Sequence, residues 1–140
     1  MRADAAIGRA AFLFLTAVML TVATAAAAPL RFEATETTTG QAVLEIQADR
    51  LVTMTPLPFS LIIKDPSGKP LAGAHVECML TMPSMRMPEN RPKVAERDGT
   101  YIGEMVLTCT MGDYRAVCVV DDAGGARRSL TFDIGRARLK

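Results

Sequence analysis

The sequence predicts an all-β protein: an immunoglobulin-like antiparallel sandwich of about seven strands, preceded by a signal peptide. Beyond residue 28 no helical periodicity lasts for more than two turns. Apolar and polar residues instead alternate over short segments, which turn residues separate at short intervals. Residues 28–140 have the size of one ordinary domain.

The first residues have the three-part layout of a secretory signal peptide. Two arginines lie near the start, Ala10–Ala26 carries no charge, and Ala23–Ala28 is rich in small residues. We assign residues 1–27 to the signal, with cleavage after Ala26 or Ala27, and residues 28–140 to the domain. The predicted location is periplasmic or secreted. The alternative is an uncleaved membrane anchor, because the apolar stretch approaches the roughly 20 residues that a spanning helix needs.

The first half of the domain alternates strands with proline-containing connections. A short strand is expected around Arg31–Thr35, and Val43–Ala48 shows clear alternation. Leu51–Pro58 holds two prolines and is predicted to be a connection. Phe59–Lys64 is the next strand, and Asp65–Gly68 places Asp, Pro and Gly where a type I turn prefers them.

The second half continues the pattern around one irregular loop. Met82–Pro92 contains three prolines, each of which removes a donor from a strand ladder, so no regular strand is expected there. The predicted strands of this half are Ala74–Thr81, a short Lys93–Glu96, Thr100–Cys109, Tyr114–Asp121 and Arg128–Ile134.

Charge and motif content argue against an enzyme and against a nucleic-acid-binding protein. Two of the 16 basic and one of the 15 acidic residues precede residue 28, so the domain holds 14 of each and lacks a basic stripe. His75 is the only histidine, and no nucleophile motif surrounds it. There is no phosphate-binding glycine loop, and no small-molecule substrate is evident.

Antiparallel strand order predicts that sulfur atoms gather at one end of the sandwich. If Ala74–Thr81 pairs with the strand that begins at Tyr114, the end near Thr81 also receives the turn before Tyr114 and the Leu51–Pro58 connection. Five of the seven methionines in the domain then converge there, together with one cysteine. These residues are Met54, Met82, Met85, Met87, Met111 and Cys109.

Thioether and thiolate sulfurs are soft ligands that select Cu(I). Met82, Met85 and Met87 lie on a loop stiffened by prolines, so less entropy is lost when it closes around an ion. Met54, Met111 or Cys109 could complete a site of three or four sulfurs. The alternative is that these methionines are adaptable hydrophobic filler or a protein-binding patch.

The three cysteines admit three single disulfides in an oxidising compartment. If Ala74 lies opposite Asp121 or Asp122, the antiparallel register brings Cys78 close to Cys118. Cys109 and Cys118 flank one turn at unequal distances, which keeps them apart. We therefore favour a Cys78–Cys118 bond with Cys109 free.

Residues Leu57–Val120 resemble the YtkA-like and FixH-like family of small exported or membrane-anchored bacterial domains. The matching motifs are Pro58-Phe59, Asp65-x-x-Gly68-x-Pro70, Gly73-Ala74-x-Val76, Met82-Pro83-x-Met85-x-Met87, Asp98-Gly99-x-Tyr101-x-Gly103 and Gly112-Asp113-Tyr114. The resemblance implies an immunoglobulin-like sandwich and a link to copper handling or respiratory oxidase assembly. The sequence departs from the family pattern in having Tyr114 in place of tryptophan, three cysteines and a cleavable-looking signal.

Together these observations predict a periplasmic Cu(I)-binding or copper-carrier module that uses the methionine-rich loop. Its expected partner is a membrane protein or a copper protein. The alternative is a non-metal periplasmic interaction domain that docks through the same methionine-rich end.

Overall fold

The computed structural model describes residues 28–35 and 40–140, which contain eight strands. In chain order these are β1 Leu30–Glu33, β2 Ala42–Ile46, β3 Pro56–Ile63, β4 His75–Thr81, β5 Val94–Arg97, β6 Thr100–Val106, β7 Asp113–Asp121 and β8 Arg127–Arg136. The predicted signal peptide, residues 1–27, lies outside this part of the chain. Within the described ranges, no helix has the length and apolar character needed to cross a membrane.

The strands form two antiparallel sheets, in the orders β1-β2-β3-β6-β5 and β4-β7-β8. The strands β2-β3-β6-β5 and β4-β7-β8 reproduce the two sheets of a constant-type immunoglobulin domain, and β1 adds one strand at an edge. The predicted pairing of the strand ending at Thr81 with the strand after Tyr114 is confirmed, since Thr81 lies opposite Arg115. The predicted fold class is therefore confirmed.

Alternate side chains of both sheets form one core between them. In β3 every second residue from Leu57 to Ile63 is buried, and β7 buries alternate residues from Tyr114 to Val120. This period of two is the signal from which the strands were predicted. The largest fully buried side chains are Tyr101, Tyr114, Phe132, Leu44, Ile46, Leu61, Ile63, Leu80, Met105 and Leu107.

The assignment of Leu51–Pro58 to a connection is wrong at its end, because β3 begins at Pro56. Antiparallel pairing of Pro56 with Val106 and of Pro58 with Glu104 extends the strand. The carbonyl of Pro58 accepts the N–H of Gln47, so the missing donors of both prolines face the side where β2 has already ended. Proline is tolerated there because regular pairing with β2 stops at Ile46.

The strand predicted to end at Cys109 ends at Val106. The backbone N–H groups of Thr108 and Cys109 donate to the Tyr114 hydroxyl, at 3.0 and 2.9 Å, and so leave the ladder. The Tyr114 hydroxyl thus takes the place of a carbonyl from a neighbouring strand, and the turn begins three residues earlier than predicted.

The predicted Cys78–Cys118 disulfide is confirmed, and Cys109 is free. The register pairs His75 with Asp121 and Cys78 with Cys118. Both bonded cysteines are buried in the core. The bond joins neighbouring strands of one sheet, so it does not link the two sheets.

Tyr101 fixes the end of the sandwich away from Thr81. Its hydroxyl donates to the carbonyl of Leu71 at 2.7 Å and accepts the N–H of Ala74 at 3.1 Å. Burial raises the pKa of Tyr101 above its ordinary value of 10.0; the Ala74 hydrogen bond acts in the opposite direction, and the nearby charge of Glu96 adds to the rise. The connection between β3 and β4 is thereby tied to β6.

Candidate metal-binding pole

Four segments meet at the end of the sandwich where β4 finishes: residues 47–55, 82–90, 106–112 and 136–140. We call this end the methionine pole. The loop after β4 packs against the turn before β7, where Gly112 leaves room for it. A Cβ atom added to Gly112 would lie only 2.7 Å from the Oγ of Ser84 and 3.9 Å from the Sδ of Met82. Asn90 holds the far end of that loop, because its carbonyl accepts the N–H of Leu80 and its side-chain amide donates to the carbonyl of Val106.

A short parallel ribbon covers the space between the two sheets at this pole. Val52 bridges Arg138 on one side, and Thr53 bridges Leu107 on the other. The N–H of Met54 then donates to the carbonyl of Leu107 at 2.8 Å. Met54 is therefore held against the turn that carries Cys109 and Met111.

Tyr114 anchors that turn from below. Its side chain is 1% exposed, and its hydroxyl accepts the two N–H groups of Thr108 and Cys109 described above. This is the arrangement of the tyrosine corner of immunoglobulin-like domains, in which a tyrosine near the start of a strand binds backbone a few residues upstream. The thiol of Cys109 in turn accepts the N–H of Met111 at 3.4 Å.

The six predicted ligand residues differ widely in exposure. Met54, Met85 and Met111 are 69%, 40% and 76% exposed. Met87 and Cys109 are half-buried against the core. Met82 is only 4% exposed and belongs to the core. Three thioethers therefore face solvent at the pole, and Met82 supports the loop from beneath.

Met54 has a left-handed backbone, with φ of 56°. A residue with a Cβ is uncommon in this region, and the conformation costs of the order of 1 kcal/mol or more. Glycine or asparagine would meet the same backbone requirement more easily. The chain instead carries a long apolar side chain there, and most of that side chain is exposed.

All five exposed large hydrophobic side chains of residues 28–35 and 40–140 lie at the methionine pole: Met54, Met85, Val106, Met111 and Leu139. Val106 ends β6, and Leu139 follows Arg138, whose carbonyl accepts the N–H of Thr53. Sequence reasoning missed Val106 and Leu139. Leu139 sits between Arg138 and Lys140, and no local sequence pattern shows that this tail packs against residues 51–53.

Charged side chains beside the pole are paired with one another. An open cleft of about 500 Å³ runs along β7 and β8, and Ser84 and Gly112 are among its lining residues. Its charged wall contains the pairs Arg115–Asp133 at 2.7 Å and Arg136–Asp113 at 3.7 Å.

Harder ligands do not gather into a site in the described ranges: no group of three or more His, Cys, Asp or Glu there could hold a metal ion. His75 lies at the other end of β4 and contacts Glu77 at 3.1 Å. Any metal site at the methionine pole would therefore depend on sulfur.

We find no match between this chain and the family models, curated proteins and solved structures with which it was compared. The resemblance to the YtkA-like and FixH-like family stays a prediction from sequence motifs.

Proposed function

We propose that this chain is a periplasmic Cu(I)-binding or copper-carrier module, with Met54, Met85, Met111 and Cys109 as the principal ligands. The observation that carries the proposal is the exposure of three thioethers on anchored segments at one end of the fold. Thioethers and a thiolate match the ligand preference of Cu(I). Bound copper would be the cargo of the protein, handed to a membrane protein or a copper protein.

The ligand set differs from the one centred on the loop after β4. Met82 is buried, so it would reach an ion only after the loop moves; Met87 is half-buried. Met85 projects from the same loop into solvent. We therefore assign Met82 and Met87 supporting positions, and we give Met54 and Met111 the places next to Met85.

Titration of the protein with Cu(I) against a chromogenic chelator, in ascorbate, tests this proposal. The triple variant M54L/M85L/M111L keeps side-chain volume, so its fold should survive. We expect it to lose at least tenfold in Cu(I) affinity. The control M79L changes a half-buried methionine of β4 and should bind like the wild type. If the triple variant bound Cu(I) as tightly as the wild type, Met54, Met85 and Met111 would be excluded as ligands. If only the variant M82L/M87L lost Cu(I) affinity, the site would lie on the loop after β4, as the sequence predicts.

A second candidate, a non-metal interaction domain that docks through the methionine pole, is favoured by one observation. Val106 and Leu139 are 36% and 78% exposed within the same surface and have no donor atom for a metal. Exposed apolar patches of this kind mark interaction surfaces. A reduced protein without measurable Cu(I) affinity would favour this candidate over the first.

A further inference from the structure

Basic residues share the segments of the methionine pole with its exposed apolar side chains. The four segments that form it contain five basic residues and two acidic ones: Arg50, Arg86, Arg136, Arg138, Lys140, Asp49 and Glu89. Glu89 is paired with Arg91 at 2.6 Å, and Arg136 with Asp113 at 3.7 Å. The whole chain has a formal net charge of only +1. Positive charge is therefore concentrated at this end.

Four of these cations point into solvent without an ion pair to any described residue. Arg50, Arg86, Arg138 and Lys140 are exposed and take part in none of the ion pairs of the described ranges. Leu139 lies between two of them, and Arg86 follows Met85. Exposed apolar and cationic side chains thus lie next to each other along the segments of this end.

The chain also enters the domain from this end. Leu30, the first residue of β1, lies opposite Ile46, the last residue of β2, and β2 leads directly into residues 47–55 of the pole. Ala28 and Pro29 precede it and can span at most about 7 Å. Sequence upstream of Ala28, which includes the uncharged run Ala10–Ala26, therefore leaves the domain beside the methionine pole.

We propose that the methionine pole is a membrane-docking surface that lies on a bilayer containing anionic phospholipid. Met54, Met111 and Leu139 would enter the boundary between headgroups and acyl chains, as apolar side chains of interfacial segments do. Arg138, Lys140 and Arg86 would lie at the lipid phosphates. Charge complementarity favours an anionic bilayer over an apolar groove of a protein partner, because each cation near an anionic membrane surface strengthens binding about fivefold.

Docking to lipid is separate from copper binding and does not depend on it. It requires the apolar and cationic side chains of the pole, and it holds whether the N-terminal segment is removed or retained. A copper carrier with this orientation would present its cargo at the membrane surface.

Cosedimentation with lipid vesicles tests the proposal on the protein produced from the full chain, freed of metal by a chelator. Vesicles of phosphatidylglycerol and phosphatidylcholine are compared with vesicles of phosphatidylcholine alone, at about 0.1 M salt, where charge attraction persists over about 10 Å. We expect binding to the mixed vesicles, and a loss of about 25-fold in R138Q/K140Q from two cations. L139S should also bind more weakly, because it removes apolar surface.

The matched control is K64Q/K69Q, which removes two exposed cations near the opposite end of the sandwich. It should bind vesicles like the wild type. Three outcomes would overturn the proposal. The first is that the protein binds equally to both vesicle types, the second that it binds to neither, and the third that the two double variants lose affinity equally. Binding only to membranes that retain their proteins, or self-association through the pole, would assign the surface to a protein partner or to a second copy. The Cu(I) affinity of R138Q/K140Q should stay unchanged, so the two proposals fail independently.

Discussion

The hydroxyl of Tyr114 accepts the backbone N–H of Cys109 at 2.9 Å, which places the one free thiol of the described residues at the base of the methionine pole. The same oxygen accepts the N–H of Thr108. One buried side chain therefore shapes the turn that carries Cys109 and Met111. Because strand pairing has ended there, no other hydrogen bond of the ladder can replace it.

Tyr114→Phe should destabilise the domain by about 1–3 kcal/mol, since two backbone donors lose their acceptor. Chemical denaturation measures the loss. Amide exchange of Thr108 and Cys109 should accelerate, while the amides of β7 below the turn keep their protection relative to global unfolding. Unchanged protection of these two amides would show that the hydroxyl does not hold the turn.

Reduction of the Cys78–Cys118 bond should lower the free energy of unfolding by about 4 kcal/mol, because the bond closes a long loop of the unfolded chain. The sequence separation of the two cysteines is 40 residues. Urea denaturation with and without a strong thiol reductant compares the two states of the same chain. Alkylation of the denatured, unreduced protein should modify one thiol, and three modified thiols would contradict the bond.

At position 54, glycine should be more stable than alanine by about 1 kcal/mol, because the left-handed backbone of Met54 penalises a Cβ. At position 111, where φ is not positive, the order should reverse by about 0.4–1 kcal/mol, since glycine has more freedom in the unfolded chain. Urea midpoints of M54G, M54A, M111G and M111A supply the comparison. If M54A were as stable as M54G or more stable, the conformation of Met54 would carry no strain.

The free energy of unfolding should fall as pH rises past about 10, and Tyr101 should cause part of this fall. Its pKa is raised by burial, so the folded state keeps the phenol protonated where the unfolded chain would lose the proton. This contribution is complete below the unfolded pKa and is lost as pH rises through the raised folded pKa. Urea midpoints across this pH range should decline less steeply in Tyr101→Phe. Parallel curves would indicate that Tyr101 titrates alike in both states.

The sandwich could be predicted because its signal is local. Alternation along β2, β4 and β7 marks the strands, and one register assumption between β4 and β7 places Cys78 opposite Cys118. The two errors have a different origin. Pro56 and Pro58 are tolerated in β3 only because β2 stops early, and Cys109 leaves β6 only because the Tyr114 hydroxyl reaches it. Both depend on partners distant in sequence or outside the strand.

The candidate site was predictable in position and less so in composition. Strand direction alone gathers the methionine-bearing segments at one end. Which sulfurs face solvent depends on how each loop packs: Met82 lies buried close to Gly112, whereas Met54 is mostly exposed. Spacing along the sequence cannot distinguish a methionine that supports a loop from one that projects from it.

The start of β1 and the tail after β8 lie at the same end of the sandwich, and this has a practical consequence for labelling the protein. A polyhistidine tag joined directly to Ala28 or to Lys140 would lie beside the candidate ligands, where it would compete for copper or alter the charge presented to lipid. The turn at Asp122–Gly125, which connects β7 to β8 at the far end, offers a site for a label or a surface attachment that leaves the methionine pole uncovered.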